Sequence, residues 1–244
     1  VGSLMWPATQ TRPDICYSVG LLCRFLANPS DKHIKAAEHC LRYLSGTRNY
    51  ALSYIANPKG LSKEEFRGAT GSADLTGYTD ASFGDCPDTR RSSSGFVFTV
   101  CGGPVSFKAG RQPHVTTSTA EAEYAALSYA AREAIYLRRI AAELGFTIAG
   151  PTIIHEDNSP AIDMTKKETN NSDRTKHIDI AFHYTREQIK NKLIEVKWIP
   201  TADQVADGLT KSLTAENHLK FCRQLNLVVV RNAGQPGKTL IEQL

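Results

Sequence analysis

Four acidic residues stand at positions from which their carboxylates can converge: Asp80, Glu123, Asp157 and Asp207. Asp80 lies in Tyr78-Thr-Asp-Ala-Ser82, an alternating run in which Tyr78, Asp80 and Ser82 share one face of a strand. Asp157 ends a strand with a compact apolar centre, Thr152–Glu156, and the carboxyl end of a strand is a common seat for functional residues in α/β sheets. Asp207 falls in a helix opened by the capping-box spacing Thr201-x-x-Gln204. Four carboxylates gathered without cations repel one another and raise their own pKa values. Divalent ions reverse this, and hard oxygen donors suit Mg2+ or Mn2+. Two such ions about 3.5–4 Å apart clamp the attacking and leaving oxygens of an in-line phosphoryl displacement. The competing reading is that four of the 25 acids are simply surface residues.

Helical geometry separates Glu123 from its neighbour Glu121 on a long helix, Ser118–Leu144. From Glu123, positions +3, +4, +7, +11, +14, +18 and +21 are Ala126, Leu127, Ala130, Ala134, Leu137, Ala141 and Leu144. All are apolar, so this stripe packs on a sheet and Glu123 heads it. Glu121 lies about 160° round the helix and reads as a solvated first-turn acid favoured by the helix dipole. A carboxylate on the core face needs a compensating partner.

The elements that must hold these residues follow from periodicity and punctuation. Residues 13–57 are helical, then strand-like. Asn28-Pro29-Ser30-Asp31 stops one helix and offers Ser30 or Asp31 as cap for the next, which puts Ile34, Ala37, Cys40, Leu41 and Leu44 on one face. Residues 57–73 are polar and Gly-rich, as a linker is. Leu75–Phe83, Gly95–Val100 and Pro104–Lys108 are three strands, with Gly102-Gly103 as the turn between the last two. After the long helix come the strand Thr152–Glu156, a short helix capped by Ser159 with Pro160 in its first position, a helix over Lys176–Lys190, a strand over Leu193–Ile199 and the Thr201 helix. This order predicts an α/β fold, a mixed five-stranded sheet flanked by helices and preceded by a small, mainly helical segment. The expected organisation is a first segment over 1–56, a linker over 57–73, a domain over 74–213, and a C-terminal helix with a flexible tail over 214–244.

Composition narrows the function classes. At 244 residues the chain holds one or two domains. Hydrophobic residues at 41% and charged residues at 22% exclude wholesale disorder. No apolar run reaches about 18 residues, so no transmembrane helix is expected, and Val1–Pro7 lacks the character of a secretory signal. The absence of an initiator Met points to a piece of a longer precursor or a truncated sequence. Six cysteines (Cys16, Cys23, Cys40, Cys86, Cys101, Cys222) without CxxC spacing give no zinc site and suit a reduced, intracellular setting. The net charge of +4 lies in residues 1–70, where nine Lys/Arg face five Asp/Glu, so diffuse phosphate contact falls to that segment.

Six segments in series resemble the RNase H domain of copia-type LTR retrotransposon Pol polyproteins. They are Tyr78-Thr-Asp-Ala-Ser82, Asp88-Thr-Arg-Arg-Ser-Ser-Ser-Gly-Phe-Val97, Ser118-Thr-Ala-Glu-Ala-Glu-Tyr124, Glu156-Asp-Asn158, Arg174-Thr-Lys-His-Ile-Asp179 and Ile199-Pro-Thr-Ala-Asp-Gln-Val-Ala-Asp-Gly-Leu-Thr-Lys211. Thr11-Arg-Pro-Asp-Ile15 and Ala36-Ala-Glu-His-Cys-Leu-Arg-Tyr-Leu-Ser-Gly-Thr47 resemble the tail of the reverse transcriptase, thumb- or connection-like, that precedes RNase H. The polymerase's Tyr-x-Asp-Asp motif is absent, so this chain alone should not synthesise DNA.

The resemblance implies an RNase H-like fold and hydrolysis of the RNA strand of RNA–DNA hybrids during reverse transcription. It implies two Mg2+ ions, with Mn2+ as substitute, held by Asp80, Glu123, Asp157 and Asp207. In that scheme Asp80 bridges both ions, Glu123 and Asp157 complete one site, and Asp207 holds the second; the products carry 5′-phosphate and 3′-hydroxyl ends. The family motif contains both Glu121 and Glu123, and Asp203 competes with Asp207, which is preferred because the family's last acid lies inside a helix. Ser82, Thr117, Ser118 and Asn158 are candidates for 2′-hydroxyl contact across the minor groove, and Lys108, Arg111 and Gln112, on the turn before the long helix, for backbone phosphates. Implied partners are the hybrid and the upstream reverse transcriptase domain, with no membrane, in the cytoplasm within virus-like particles. Two departures stand out: no His precedes the last acid, as it does in some cellular RNases H, and Phe107 replaces a frequent Trp. His177 and His155 read as packing residues. The alternatives are a catalytically silent hybrid-binding module and a DNA transposase or integrase on the same fold.

Overall fold

A computed structural model describes residues 1–54, 74–166, 176–230 and 238–239. The expected linker, most of the C-terminal tail and the side chain of His177 lie outside the described residues. The central sheet has the order β4-β3-β2-β5-β6. Its strands are β2 (Thr76–Ser82), β3 (Ser93–Val100), β4 (Gly103–Arg111), β5 (Thr152–Glu156) and β6 (Ile194–Trp198). β2, β3 and β4 form an antiparallel meander, and β5 and β6 join β2 in parallel. This is the mixed five-stranded sheet flanked by helices that the element order predicts.

One face is covered by α4 (Thr119–Glu143), the helix numbered after α1 (Gly2–Gln10), α2 (Cys16–Cys23) and α3 (Asp31–Gly46). Leu127, Ala130, Ala131 and Ala134 of α4 pack with Phe96, Phe98, Ile154 and Ile194 of the sheet. The small residues let the helix lie close to the strands. The stripe ends earlier than its periodicity suggests: Leu137 is only partly buried and Leu144 is exposed, because the helix outruns the sheet. α5 (Ser159–Lys166) and α6 (Lys176–Lys190) complete this side.

The opposite face carries the N-terminal helices and α7 (Ala215–Gln224). Cys16 of α2, Val97 of β3, Leu209, Phe221 of α7 and Leu227 share one core cluster. A short strand β1 (Tyr50–Leu52) pairs antiparallel with β7 (Leu227–Val229), which pairs with β8 (Lys238–Thr239). The first and last described segments therefore pack on the central sheet and on each other. Arg12 and Asp14 form a buried two-bonded ion pair (2.9 and 2.7 Å), and the Tyr43 hydroxyl donates to Asp14 at 2.7 Å. Ser30 caps α3 as expected, and Cys40 and Leu44 of the expected face pack on the cluster, joined by Tyr43, while Ile34 and Leu41 are exposed. No helix among the described residues is long and apolar enough to cross a membrane.

One turn and one strand end differ from expectation. The β3–β4 turn is Cys101-Gly102, both at positive φ (52° and 76°), while Gly103 already pairs with Val100. A two-residue hairpin of this kind needs two consecutive left-handed residues, and Gly103 is needed instead for its close approach to Tyr54. β4 also runs on to Arg111, three residues past the apolar pattern, because Ala109 and Gly110 pair without showing alternation.

Gly95 pairs with Asp80 in register, and a Cβ there would meet Leu209 Cβ at 2.6 Å. Its bare backbone lets the segment holding Asp207 lie directly on the sheet. Gly95→Ala is expected to cost about 1–3 kcal/mol, read as a lower denaturant midpoint.

Candidate active site

The sheet brings the acidic residues to one end. Asp80 sits near the end of the central strand β2 and is 2% exposed. Asp157 follows β5, the parallel neighbour of β2, so the two strand ends lie side by side. Glu123 projects from the second turn of α4, buried, and receives the backbone N–H of Ala81. One ligand oxygen from each of Asp80, Glu123 and Asp157 lies within 4.8 Å of the others.

The competing acids separate cleanly. Glu121 Oε2 accepts from Thr117 N at 2.6 Å and from Thr117 Oγ1 at 2.7 Å, while Ser118 Oγ accepts from Glu121 N at 3.2 Å. It is spent on capping α4. Asp203 is exposed, 3.4 Å from Lys220. Asp207 is reached through Lys211, whose ammonium lies 2.8 Å from Asp207 Oδ1 and 3.9 Å from Asp80 Oδ2.

Asp207 does not ride on the α-helix its capping box suggested. Two short 3₁₀ turns, Thr201–Asp203 and Val205–Leu209, replace it. Gln204 between them is extended: its Nε2 donates to the Thr79 carbonyl of β2 at 2.9 Å and its Oε1 accepts from Ala206 N at 3.2 Å. That tie to the sheet breaks the helix and makes Gln204, not Thr201, the effective cap.

Burial and mutual repulsion dominate the electrostatics. Burial pushes the Asp80 carboxyl up to about 6, opposed by Lys211 and raised further by Asp207. Burial, then the charges of Asp80, Glu156 and Asp157, carry Glu123 up to about 10. Burial raises Asp207 as well, with Lys211 opposing. Burial disfavours the Lys211 charge, but the Asp80 and Asp207 carboxylates outweigh it and hold its pKa above the ordinary value. Glu123 Oε2 is buried without a hydrogen-bond partner among the described residues. Converging hard oxygen donors, one of them orphaned, fit a divalent cation such as Mg2+ or Mn2+.

Lys211 thus serves as the built-in counter-cation of the cluster. Lys211→Met is expected to lower metal-free stability by about 1 kcal/mol, a modest figure because its ammonium is partly solvated. Added Mg2+ should close that gap in paired thermal melts.

The other sequence-derived candidates are spread more widely. Ser82 ends β2, half-buried. Lys108 and Arg111 are exposed on edge strand β4, within the strand and not on the turn that follows it. Gln112 is turned inward, its Nε2 donating to Ser94 Oγ at 2.7 Å and to the Ala122 carbonyl at 2.9 Å. Thr117 and Ser118 are exposed but engaged with Glu121. Asn158 Oδ1 accepts from Ala161 N at 2.9 Å and so caps α5, the role expected of Ser159. His155 stacks on Tyr78 at 4.9 Å. Sequence reasoning missed Thr210, whose hydroxyl donates to Asp80 Oδ2, and Lys211. A Thr-Lys pair carries no periodic signal that would have flagged it.

Comparison with known proteins follows this geometry. The chain is 37% identical over 227 residues to the retrovirus-related Pol polyprotein from transposon TNT 1-94 of Nicotiana tabacum, covering 92% of this chain and 16% of that protein. It is 31% identical over 230 residues to the corresponding polyprotein from transposon RE1 of Arabidopsis thaliana, covering 94% and 15%. Its homologues are retrotransposon Pol polyproteins. The chain spans about one sixth of the length of these relatives. No family model matches it. Among solved structures, the N-terminal RNase H domain of rv2228c from Mycobacterium tuberculosis is similar at 14% identity and a TM-score of 0.42, covering 58% of this chain and 91% of that chain.

Proposed function

We propose that the chain is the ribonuclease H portion, with the tail of the reverse transcriptase, of a copia-type retrotransposon Pol polyprotein. Its reaction is metal-dependent endonucleolytic hydrolysis of the RNA strand of an RNA–DNA hybrid. The observation that carries this reading is the convergence of Asp80, Glu123 and Asp157 within 4.8 Å. Those three carboxylates, with Asp207 beside them, would hold the cations. Bound divalent ions supply activation of water and neutralisation of charge building on the phosphate.

The chain's own groups prepare the site. Thr210 and Lys211 orient Asp80 through one of its oxygens. Ala81 N–H fixes Glu123. The close-packed turn Val205–Leu209 and the sheet leave Asp80 almost no solvent, so its carboxylate would meet bound cations in a low-dielectric setting where charge stabilisation is strongest. Lys108 and Arg111, both exposed, would meet backbone phosphates, and Ser82 a 2′-hydroxyl. The partners are the hybrid and the upstream polymerase domain, and the setting is cytoplasmic, within virus-like particles.

A silent binding module has no need of converging buried acids, which favours the enzyme. The test is incubation of the purified chain with end-labelled hybrid, with and without Mg2+. Cleavage of the RNA strand alone, leaving 5′-phosphate ends, is expected. Hybrid bound without metal-dependent cleavage would return the silent module, and joining of duplex DNA would return the transposase.

A further inference from the structure

The turn that carries Asp157 is gripped from two sides by residues outside the metal set. Glu156, the last residue of β5, is completely buried. Its Oε1 accepts from the backbone N–H of Asn158 at 3.1 Å, and its Oε2 has no hydrogen-bond partner among the described residues. On the neighbouring strand β6, Trp198 is the register partner of Glu156 and donates its indole N–H to the Asp157 carbonyl at 3.1 Å. Trp198 nevertheless remains 57% exposed, so the ring is not there to fill a core. Ile199 N–H closes the frame on the Glu156 carbonyl at 3.1 Å.

Both features are poor choices for stability alone. A buried carboxylate with an unpaired oxygen is costly, and an apolar residue of similar volume would be neutral or better there. An exposed Trp contributes little packing. What the two share is the peptide that follows Asp157, whose N–H goes to Glu156 and whose carbonyl goes to Trp198. We propose that Glu156 and Trp198 are positioning residues that clamp the Asp157 turn, so that its carboxylate meets those of Asp80 and Glu123 at cation-sharing distance. The proposal rests on the metal-dependent nuclease reading. Loss of such outer partners typically weakens metal binding about 10–100-fold.

The experiment is calorimetric titration of the full chain with Mn2+, paired with thermal melts in metal-free buffer, for wild type, Glu156→Gln, Glu156→Met and Trp198→Phe. Gln keeps the acceptor oxygen and the shape; Met keeps volume but loses acceptor and charge; Phe keeps a ring but loses the N–H. Glu156→Gln should bind Mn2+ much as wild type does. Glu156→Met should bind about tenfold more weakly while melting at a higher temperature, and Trp198→Phe should bind more weakly with its melting temperature unchanged. A packing role would instead lower the melting temperature and leave the affinity alone. Wild-type Mn2+ affinity in both Glu156→Met and Trp198→Phe would overturn the clamp and leave the nuclease reading standing. Absence of Mn2+ binding by wild type would remove both. Should Glu156→Met fail to fold, Trp198→Phe decides, because it alters an exposed ring.

Discussion

Asp157→Asn will abolish metal-dependent cleavage, lowering kcat by about a thousandfold or more. The change removes one of three converging carboxylates and several kcal/mol of charge stabilisation at the reacting phosphate, and each 1.36 kcal/mol is about tenfold in rate. Asn is close in shape to Asp, so the Trp198 bond to the backbone carbonyl survives and the fold is kept. The same substitution relieves Asp80 and Glu123 of a repelling neighbour, so the metal-free variant should melt no lower than wild type. Side-by-side hybrid cleavage and melting curves check both halves. Undiminished cleavage by a folded Asp157→Asn protein would reject the site.

Divalent ions will stabilise the fold strongly, and more so as pH rises. The Asp80 carboxyl titrates near 6 in the fold against an ordinary 3.8. Below the ordinary value both folded and unfolded chains hold the proton and nothing is lost. Between the two values the folded state binds more protons than the unfolded one, so metal-free stability falls as pH rises, by roughly 3 kcal/mol through this group. Glu123, raised to about 10, extends the decline above that window. Cation binding demands the ionised carboxylates and releases their protons, so its contribution grows over the same range. The check is thermal unfolding at about pH 4.5, 6 and 7.5, with and without Mg2+. The Mg2+-induced rise in melting temperature should increase at each step; an increment independent of pH would contradict the electrostatic account.

Much of the framework was legible because it is written in short periods. Alternation marks β2, and the first four positions of the apolar stripe, Ala126, Leu127, Ala130 and Ala134, lay α4 on the sheet with Glu123 at their head. The same reasoning assigned Glu121 to the first turn, where it caps α4 through Thr117 and Ser118. Where side chains are small the signal fades, so alternation ends at Lys108 although β4 continues through Ala109-Gly110-Arg111. Where two glycines stand together, composition points to Gly102-Gly103, one residue beyond the turn that the strands form at Cys101-Gly102.

By itself the sequence determined the order of elements and the faces on which Asp80 and Glu123 lie, since those depend on repeats of two and 3.6 residues. Only the tertiary structure decided what surrounds those acids. Thr210 reaches Asp80 across 130 residues of chain, and Gln204 reaches Thr79 across 125. Glu156 and Trp198 meet around Asp157 through strand pairing alone. Contacts of that span leave no local periodicity behind. They are set by which backbones pack together, and so by the whole fold acting at once.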